Sequence, residues 1–172
     1  MVGVSASNGT FPRAPSDQID IGNSGTGCRF MMALASSMSS ISGITGDISL
    51  RSRPFEVITG ALGDLGCSVS RGEDGDFIVS GPAVPGKVAL DLSKGSQPLS
   101  ALLIAAPSLG VDIEVEIRGE VVSQRYLELT YSICKSTGSQ NEFSGHNVRI
   151  APWDVIIPCL LYTSDAADDG YR

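Results

Sequence analysis

Gly22-Asn-Ser-Gly-Thr-Gly27 is followed at once by Phe30, Met31, Leu34, Ala35 and Met38, apolar residues recurring at helical spacing. Three glycines in six residues suit a turn, and the small hydroxyl and amide side chains between them suit a helix start. A helix is therefore predicted directly after this turn. Downstream, Ser42–Leu50 reads as an extended stretch. A second helix is predicted to open at Pro54, which fits a first helical position, with Val57, Ile58, Ala61, Leu62 and Leu65 on one face until Gly66 stops it. Short strands follow around Ser68–Ser70 and Phe77–Val79.

The same order then recurs. After a strand at Val88–Leu92, Ser96-Gln97 opens a helix with Leu99, Leu102, Leu103 and Ala106 on its apolar face, and Ile113–Ile117 reads as the next strand. Ser123 stands at a helix N-cap position, and Tyr126, Leu127, Thr130, Ile133 and Cys134 form the expected inward stripe up to Gly138. A last strand is expected near Val148 and Ile150. Gly25 and Ser96 lie 71 residues apart, as do Pro54 and Arg125, so two independent landmarks support one internal repeat. The repeats are placed at about 20–92 and 93–150. A doubly wound nucleotide-binding sheet would alternate strand and helix singly and carry G-x-G-x-x-G. The Gly22–Gly27 turn does not match that fingerprint, and the sequence has no G-x-x-x-x-G-K-[ST] loop.

Composition narrows the class. With 172 residues and 42% apolar side chains, the chain can bury an ordinary core. Its net charge of −7 argues against nucleic acid as a partner, since phosphate neutralisation needs clustered Lys and Arg. No run of eighteen apolar residues and no basic, apolar leader occurs, so neither a membrane nor secretion is expected and the cytoplasm is the expected location. Cys28, Cys67, Cys134 and Cys159 lack C-x-x-C spacing and His146 stands alone, so buried thiols are expected and no metal site. The terminal Cys159-Leu-Leu-Tyr-Thr-Ser-Asp-Ala-Ala-Asp-Asp169 has no matching periodicity and is similar to the translation of a transposase-type sequencing adaptor. Residues 159–172 are expected not to be native, leaving 1–158 as the protein part.

Three helix starts, at Gly25-Thr26, Ser96-Gln97 and Ser123, leave backbone N–H groups open. Each offers a dipole-assisted anion site worth about 0.3–1 kcal/mol when exposed. For Thr26 and Ser123 simple N-capping is the competing explanation, and for Gly25 turn geometry. Arg53, directly before Pro54 with Arg51 two residues earlier, reads as an anion clamp at a fourth helix start. Arg29, one turn into the first helix, is an alternative support for the Asn23–Thr26 loop.

Taken in order, Asp20-Ile-Gly-Asn-Ser-Gly-Thr-Gly-Cys-Arg29, Thr45-Gly-Asp-Ile-Ser-Leu-Arg-Ser-Arg-Pro54, Leu65-Gly66, Gly95-Ser-Gln-Pro-Leu-Ser-Ala-Leu-Leu103 and Val122-Ser-Gln-Arg-Tyr126 with Thr130 resemble the 5-enolpyruvylshikimate-3-phosphate (EPSP) synthase family. The resemblance runs from about Asp20 to Gly138. It implies an inside-out α/β domain built from βαβαββ units, helices buried and sheets outside, with two of three units in this chain. It also implies transfer of the enolpyruvyl group of phosphoenolpyruvate to the 5-hydroxyl of shikimate 3-phosphate, on the route to chorismate and the aromatic amino acids, without cofactor or metal. By resemblance, Gly25 and Arg53 hold phosphoenolpyruvate, and Gln97 lies between the substrates. Ser96, Ser123 and Tyr126 hold shikimate 3-phosphate, with Gly95 beside them, while Asn23 and Thr26 shape the loop. Arg53 and Gln97 are the catalytic candidates.

The family's N-terminal lysine and the proton-moving groups of its second domain fall outside this span, so the chain alone is expected to be inactive; the full-length enzyme is expected to be a monomer. Two departures stand out: the family's Ser-Ser-Gln is Gly95-Ser96-Gln97 here, and Arg125 replaces a common proline. The alternatives are the related transferase acting on UDP-N-acetylglucosamine, whose reactive cysteine loop is not recognisable here, and a non-catalytic repeat module that binds a protein partner.

Overall fold

The structure, a computed structural model, describes residues 18–157. It contains β1 (Ile19–Asp20), α1 (Gly25–Ala35), β2 (Ser42–Thr45), α2 (Ile48–Arg51), α3 (Glu56–Asp64), β3 (Ser68–Arg71) and β4 (Phe77–Ser80). Then follow β5 (Gly86–Asp91), α4 (Gln97–Leu109), β6 (Ile113–Arg118), α5 (Gln124–Ser136), β7 (Glu142–Ser144) and β8 (Asn147–Ile150). Two four-stranded sheets form, in the orders β1-β2-β4-β3 and β5-β6-β8-β7. In each, the first two strands are parallel and flank a helix, and the last two pair antiparallel. The shared pattern is βαβαββ, the unit that the resemblance implies.

β5 pairs with β6 from Gly86↔Ile113 to Asp91↔Arg118. The Val88–Leu92 strand therefore opens the second unit and does not close the first. The expected boundary after residue 92 moves to the Ala83–Pro85 link because hydrogen bonding, not helix spacing, defines the sheet.

Of the helices, α1 and α4 lie deepest. Gln97–Leu109 is apolar around most of its circumference, the pattern of a helix buried on all sides; Leu99, Leu102, Leu103 and Ala106 are fully buried. It packs against α1 and α5. The second sheet turns Ile113, Val115 and Ile117 inward and Glu114, Glu116 and Arg118 outward, the period of two that a one-sided strand requires. Each fully buried Leu or Ile contributes about 1.5–3 kcal/mol of transfer free energy. Cys28, Cys67 and Cys134 are buried free thiols; Cys159 and the whole 159–172 tail lie outside the described residues.

Several local expectations are corrected. The extended Ser42–Leu50 stretch stops at Thr45, because Asp47 Oδ1 accepts the Leu50 N–H at 2.7 Å and starts the helical turn α2. Gly46 makes this possible: a Cβ there would lie 2.3 Å from the Gly22 carbonyl oxygen and from Leu50 Cδ2. The second helix begins at Glu56, with Phe55 at its N-cap, and so leaves Pro54 just outside. On α1 the deepest residues are Cys28, Met32, Ala33 and Ala35, while Phe30 and Met31 are only half-buried and Met38 lies beyond the helix end. On α5 only Leu127 and Cys134 are buried, and Tyr126 and Ile133 are exposed. The predicted stripe merges a core face with a cleft face one position away.

Pro107 inside α4 has no N–H for the Leu103 carbonyl one turn back. The Cys134 thiol of α5 donates to that oxygen instead, at 3.8 Å, and burial raises the thiol's pKa. Cys134→Ala should destabilise the fold by about 1–3 kcal/mol, since a buried carbonyl loses its donor. Pro107→Ala, which restores the missing N–H, should stabilise more in that background than in the wild type. Chemical denaturation of the four proteins measures the coupling, and strict additivity would contradict the assignment.

Asp76, buried beside β4, accepts from Thr45 Oγ1 at 2.6 Å and Gln18 Nε2 at 3.0 Å and pairs with Arg51 at 3.4 Å. The Thr45 hydrogen bond first, then Gln18 and Arg51, hold its carboxyl below the ordinary 3.8 against the opposing effect of burial. A depressed native pKa stabilises above the unfolded-state value and is lost as pH falls through the native one. Asp76→Asn should therefore be less stable at neutral pH but show a shallower loss of stability on acidification below about pH 4. Denaturation midpoints measured from pH 7 to pH 3 give both quantities.

Candidate functional site

The start of α1 is built by Ser24, whose Oγ accepts the Gly27 N–H at 3.0 Å. Ser24, not Thr26, is therefore the N-cap, and Thr26 is released to line the cleft between α1, α4 and α5. Gly25 is buried between two guanidinium groups: a Cβ there would stand 3.0 Å from Arg53 Nη1 and 3.3 Å from Arg29 Nη1. Arg53 Nη2 donates to Asn23 Oδ1. Arg29 donates to the Gly25 carbonyl at 2.8 Å and to the Pro54 carbonyl at 3.1 Å, and so ties the turn before α1 to the segment before α3. Its guanidinium lies 4.5 Å from the Phe55 ring centroid. Burial lowers the Arg29 pKa, and the nearby Arg53 charge lowers it further. Among the described residues neither Arg29 nor Arg53 pairs with a carboxylate within 4.0 Å, so two cations face one glycine with charge to spare.

Arg71 fixes this arrangement from behind. It donates to the carbonyls of Arg51 and Arg53 and lies 4.3 Å from the Phe77 centroid; Phe77 in turn meets Phe55 edge to face at 4.9 Å. Two arginines thus cap one aromatic pair, and both also hold backbone on either side of Arg53. Nothing in the spacing of the sequence marks Arg71. Arg51, by contrast, is occupied with the Gly46 and Asp74 carbonyls and Asp76, so it is structural. Cys28, at the foot of the cluster, is fully buried, and burial pushes its thiol up to about 11 despite the arginines. It is an inert core group.

A cleft of about 570 Å³ opens between α1, α4 and α5. Thr26, Gly95, Ser96, Gln97, Ser123 and Tyr126 all line it. Six separately predicted residues therefore share one cavity. Ser96 and Ser123 occupy the N-cap positions of α4 and α5, yet neither side chain makes a capping hydrogen bond. The capping explanation fails for Ser123, whose backbone is left-handed at φ 61. Ser123 holds this conformation at a cost of order 1–2 kcal/mol for a non-glycine residue. Thr130 and Ser100 meet hydroxyl to hydroxyl at 3.2 Å on the cleft wall.

A second cavity of about 320 Å³ adjoins it, lined by Arg29, Pro54, Phe55, Asp91, Lys94 and Gln97 among others. Lys94, Gly95 and Gln97 belong to both linings. Gln97 therefore stands in the wall between them. Asn23, Gly25 and Arg53 line neither cavity; they sit beside the second one, joined to it through Arg29 and Pro54. Lys94 and Ser100 are cleft residues that the sequence pattern does not single out. For Lys94 the only signal is a lone cation two residues before a helix start. Among the described residues no group of three His, Cys, Asp or Glu side chains is placed to hold a metal, and no helix is long and apolar enough to cross a membrane.

The family model for EPSP synthase (3-phosphoshikimate 1-carboxyvinyltransferase) matches residues 1–158. The 3-phosphoshikimate 1-carboxyvinyltransferase of Methanothrix thermoacetophila is 40% identical over 132 residues, covering 75% of this chain and 31% of the relative. That of Methanocella arvoryzae is 36% identical over 142 residues, 81% of this chain and 34% of the relative. The fold matches the solved EPSP synthase of Acinetobacter baumannii with a TM-score of 0.67 at 23% identity, over 84% of this chain and 32% of that one. The chain thus spans about a third of the length of these relatives. With the family model covering 158 of its 172 residues, the chain belongs to the EPSP synthase family.

Proposed function

We propose that the protein carrying this segment transfers the enolpyruvyl group of phosphoenolpyruvate to the 5-hydroxyl of shikimate 3-phosphate, as a cytoplasmic monomer, and that this segment supplies the shikimate 3-phosphate subsite. The observation that carries the reading is the shared cleft: Ser96, Gln97, Ser123 and Tyr126 line one cavity at the starts of α4 and α5. Two helix N-termini and two hydroxyls free of capping duty suit a phosphorylated, hydroxylated acid. The neighbouring Arg53–Gly25–Arg29 cluster suits a second, smaller anion carrying phosphate and carboxylate. Gln97, between the two, is suited to orient one substrate against the other.

The reaction adds the 5-hydroxyl to the enol carbon and then eliminates phosphate, so protons must be delivered and removed. Gln97 carries a neutral amide and Arg53 a guanidinium, groups suited to hydrogen bonding and charge pairing. Their role is to position substrates and stabilise charge. The segment on its own is accordingly proposed to be inactive.

Two outcomes test this reading. In NMR titrations of the 172-residue chain to millimolar ligand, shikimate 3-phosphate should shift the amides of residues 95–97 and 123–127, and phosphoenolpyruvate those of residues 23–27 and 53. Arg53→Ala should abolish only the second response. Shifts scattered over the outer sheet faces, or turnover by the chain above an Arg53→Ala control, would overturn the reading.

Ser123→Gly should relieve the left-handed strain and raise stability by about 0.5–1 kcal/mol, while weakening shikimate 3-phosphate binding by roughly tenfold through the lost hydroxyl. Thermal denaturation and the same titration report the two effects, which a capping role for Ser123 would not separate.

A further inference from the structure

Building on the substrate reading above, we infer that Lys94 is the cation that binds the phosphate of shikimate 3-phosphate. Among the described residues lining the 570 Å³ cleft, Lys94 alone is charged; the others are hydroxyl, amide, glycine or apolar side chains. A dianionic phosphate brought into such a cleft loses hydration, and neutral donors alone recover it incompletely. Lys94 is exposed and, among the described residues, within ion-pair distance of no carboxylate. The nearest candidate in sequence, Asp91, is engaged by the Ser93 N–H at 2.9 Å, and the hydrogen bonds from Ser93 lower its pKa more than Lys94 does. Among the described residues the ammonium group is therefore held in no ion pair.

Its position accounts for the chain's departure at residue 95. Gly95 offers no hydroxyl, its backbone runs at φ 150, and a Cβ there would meet nothing within 4 Å. Open space thus stands, without a side-chain donor, at the point where the resemblance calls for serine. Lys94 precedes this gap and lines both cavities, so its flexible stem can reach an anion above Gly95 and the open start of α4. The hydroxyl donor is thus replaced by a point charge from the preceding residue.

The test compares wild type, Lys94→Met and Lys94→Arg as 172-residue chains, titrated by NMR with shikimate 3-phosphate, shikimate and phosphoenolpyruvate at two salt concentrations. Lys94→Met should weaken shikimate 3-phosphate binding about 10-fold or more, leave shikimate and phosphoenolpyruvate unchanged and flatten the salt dependence. Lys94→Arg should restore most of the affinity. Unchanged shikimate 3-phosphate binding in Lys94→Met, or a loss falling on phosphoenolpyruvate instead, would overturn the inference while leaving the substrate reading intact. Failure of the wild-type chain to respond to shikimate 3-phosphate at all would overturn the substrate reading, and the inference with it.

Discussion

The packing of α1 against α4, two helices buried back to back between outward-facing sheets, is the constraint on which the site depends. Helices buried among other elements leave few surfaces free for ligands, and their N-termini are where unpaired N–H groups must emerge. With α4 sunk so deeply that Leu99, Leu102 and Leu103 have no exposure, its first residues can only open into the gap it shares with α1 and α5. The cleft is thus a consequence of the core. Had the sheets been buried and the helices outside, these N-termini would have faced solvent separately.

A second constraint fixes the arginines. Arg53 belongs to the short stretch between α2 and α3, which has little regular structure of its own. That stretch is held by foreign donors: Arg71 to the Arg51 and Arg53 carbonyls, Arg29 to the Pro54 carbonyl. Each of these arginines is itself stacked on one member of the Phe55–Phe77 pair. Three like charges near one another repel, and the aromatic faces and carbonyl oxygens offset that repulsion without neutralising it. Residual positive potential around Gly25 follows directly.

Much of this arrangement is legible in the order of residues alone. The 71-residue repeat locates α1, α3, α4 and α5, because apolar spacing reports buried helical faces wherever the helix has only one such face. It fails where a helix has two. On α5 the residues Tyr126, Thr130 and Ile133 follow one line and Leu127 and Cys134 the next, and hydrophobicity does not distinguish a wall of the core from a wall of a cleft. The extended reading of Ser42–Leu50 fails for another reason: Gly46 and the Asp47 cap override the β-branched residues around them through a contact with Gly22 that is remote in sequence. Among the site residues, those at helix starts are legible because small and hydroxyl side chains mark such positions. Arg71 and Lys94 are not, since a single cation carries no periodic signal.

The two hydroxyls at Ser96 and Ser123 show how a helix start can forgo its cap and face a cleft. A serine at a helix start ordinarily turns its oxygen back onto the first N–H groups, as Ser24 does toward Gly27. Ser96 and Ser123 leave those groups uncapped, and in Ser123 the left-handed backbone is part of the reason, because the normal cap requires an extended residue. The same conformational choice that forgoes a cap leaves the Ser123 hydroxyl free, while the Tyr126 N–H that a cap would satisfy donates to the Ser123 carbonyl at 3.0 Å. The uncapped start of α5 and the hydroxyl that faces the cleft thus have one origin.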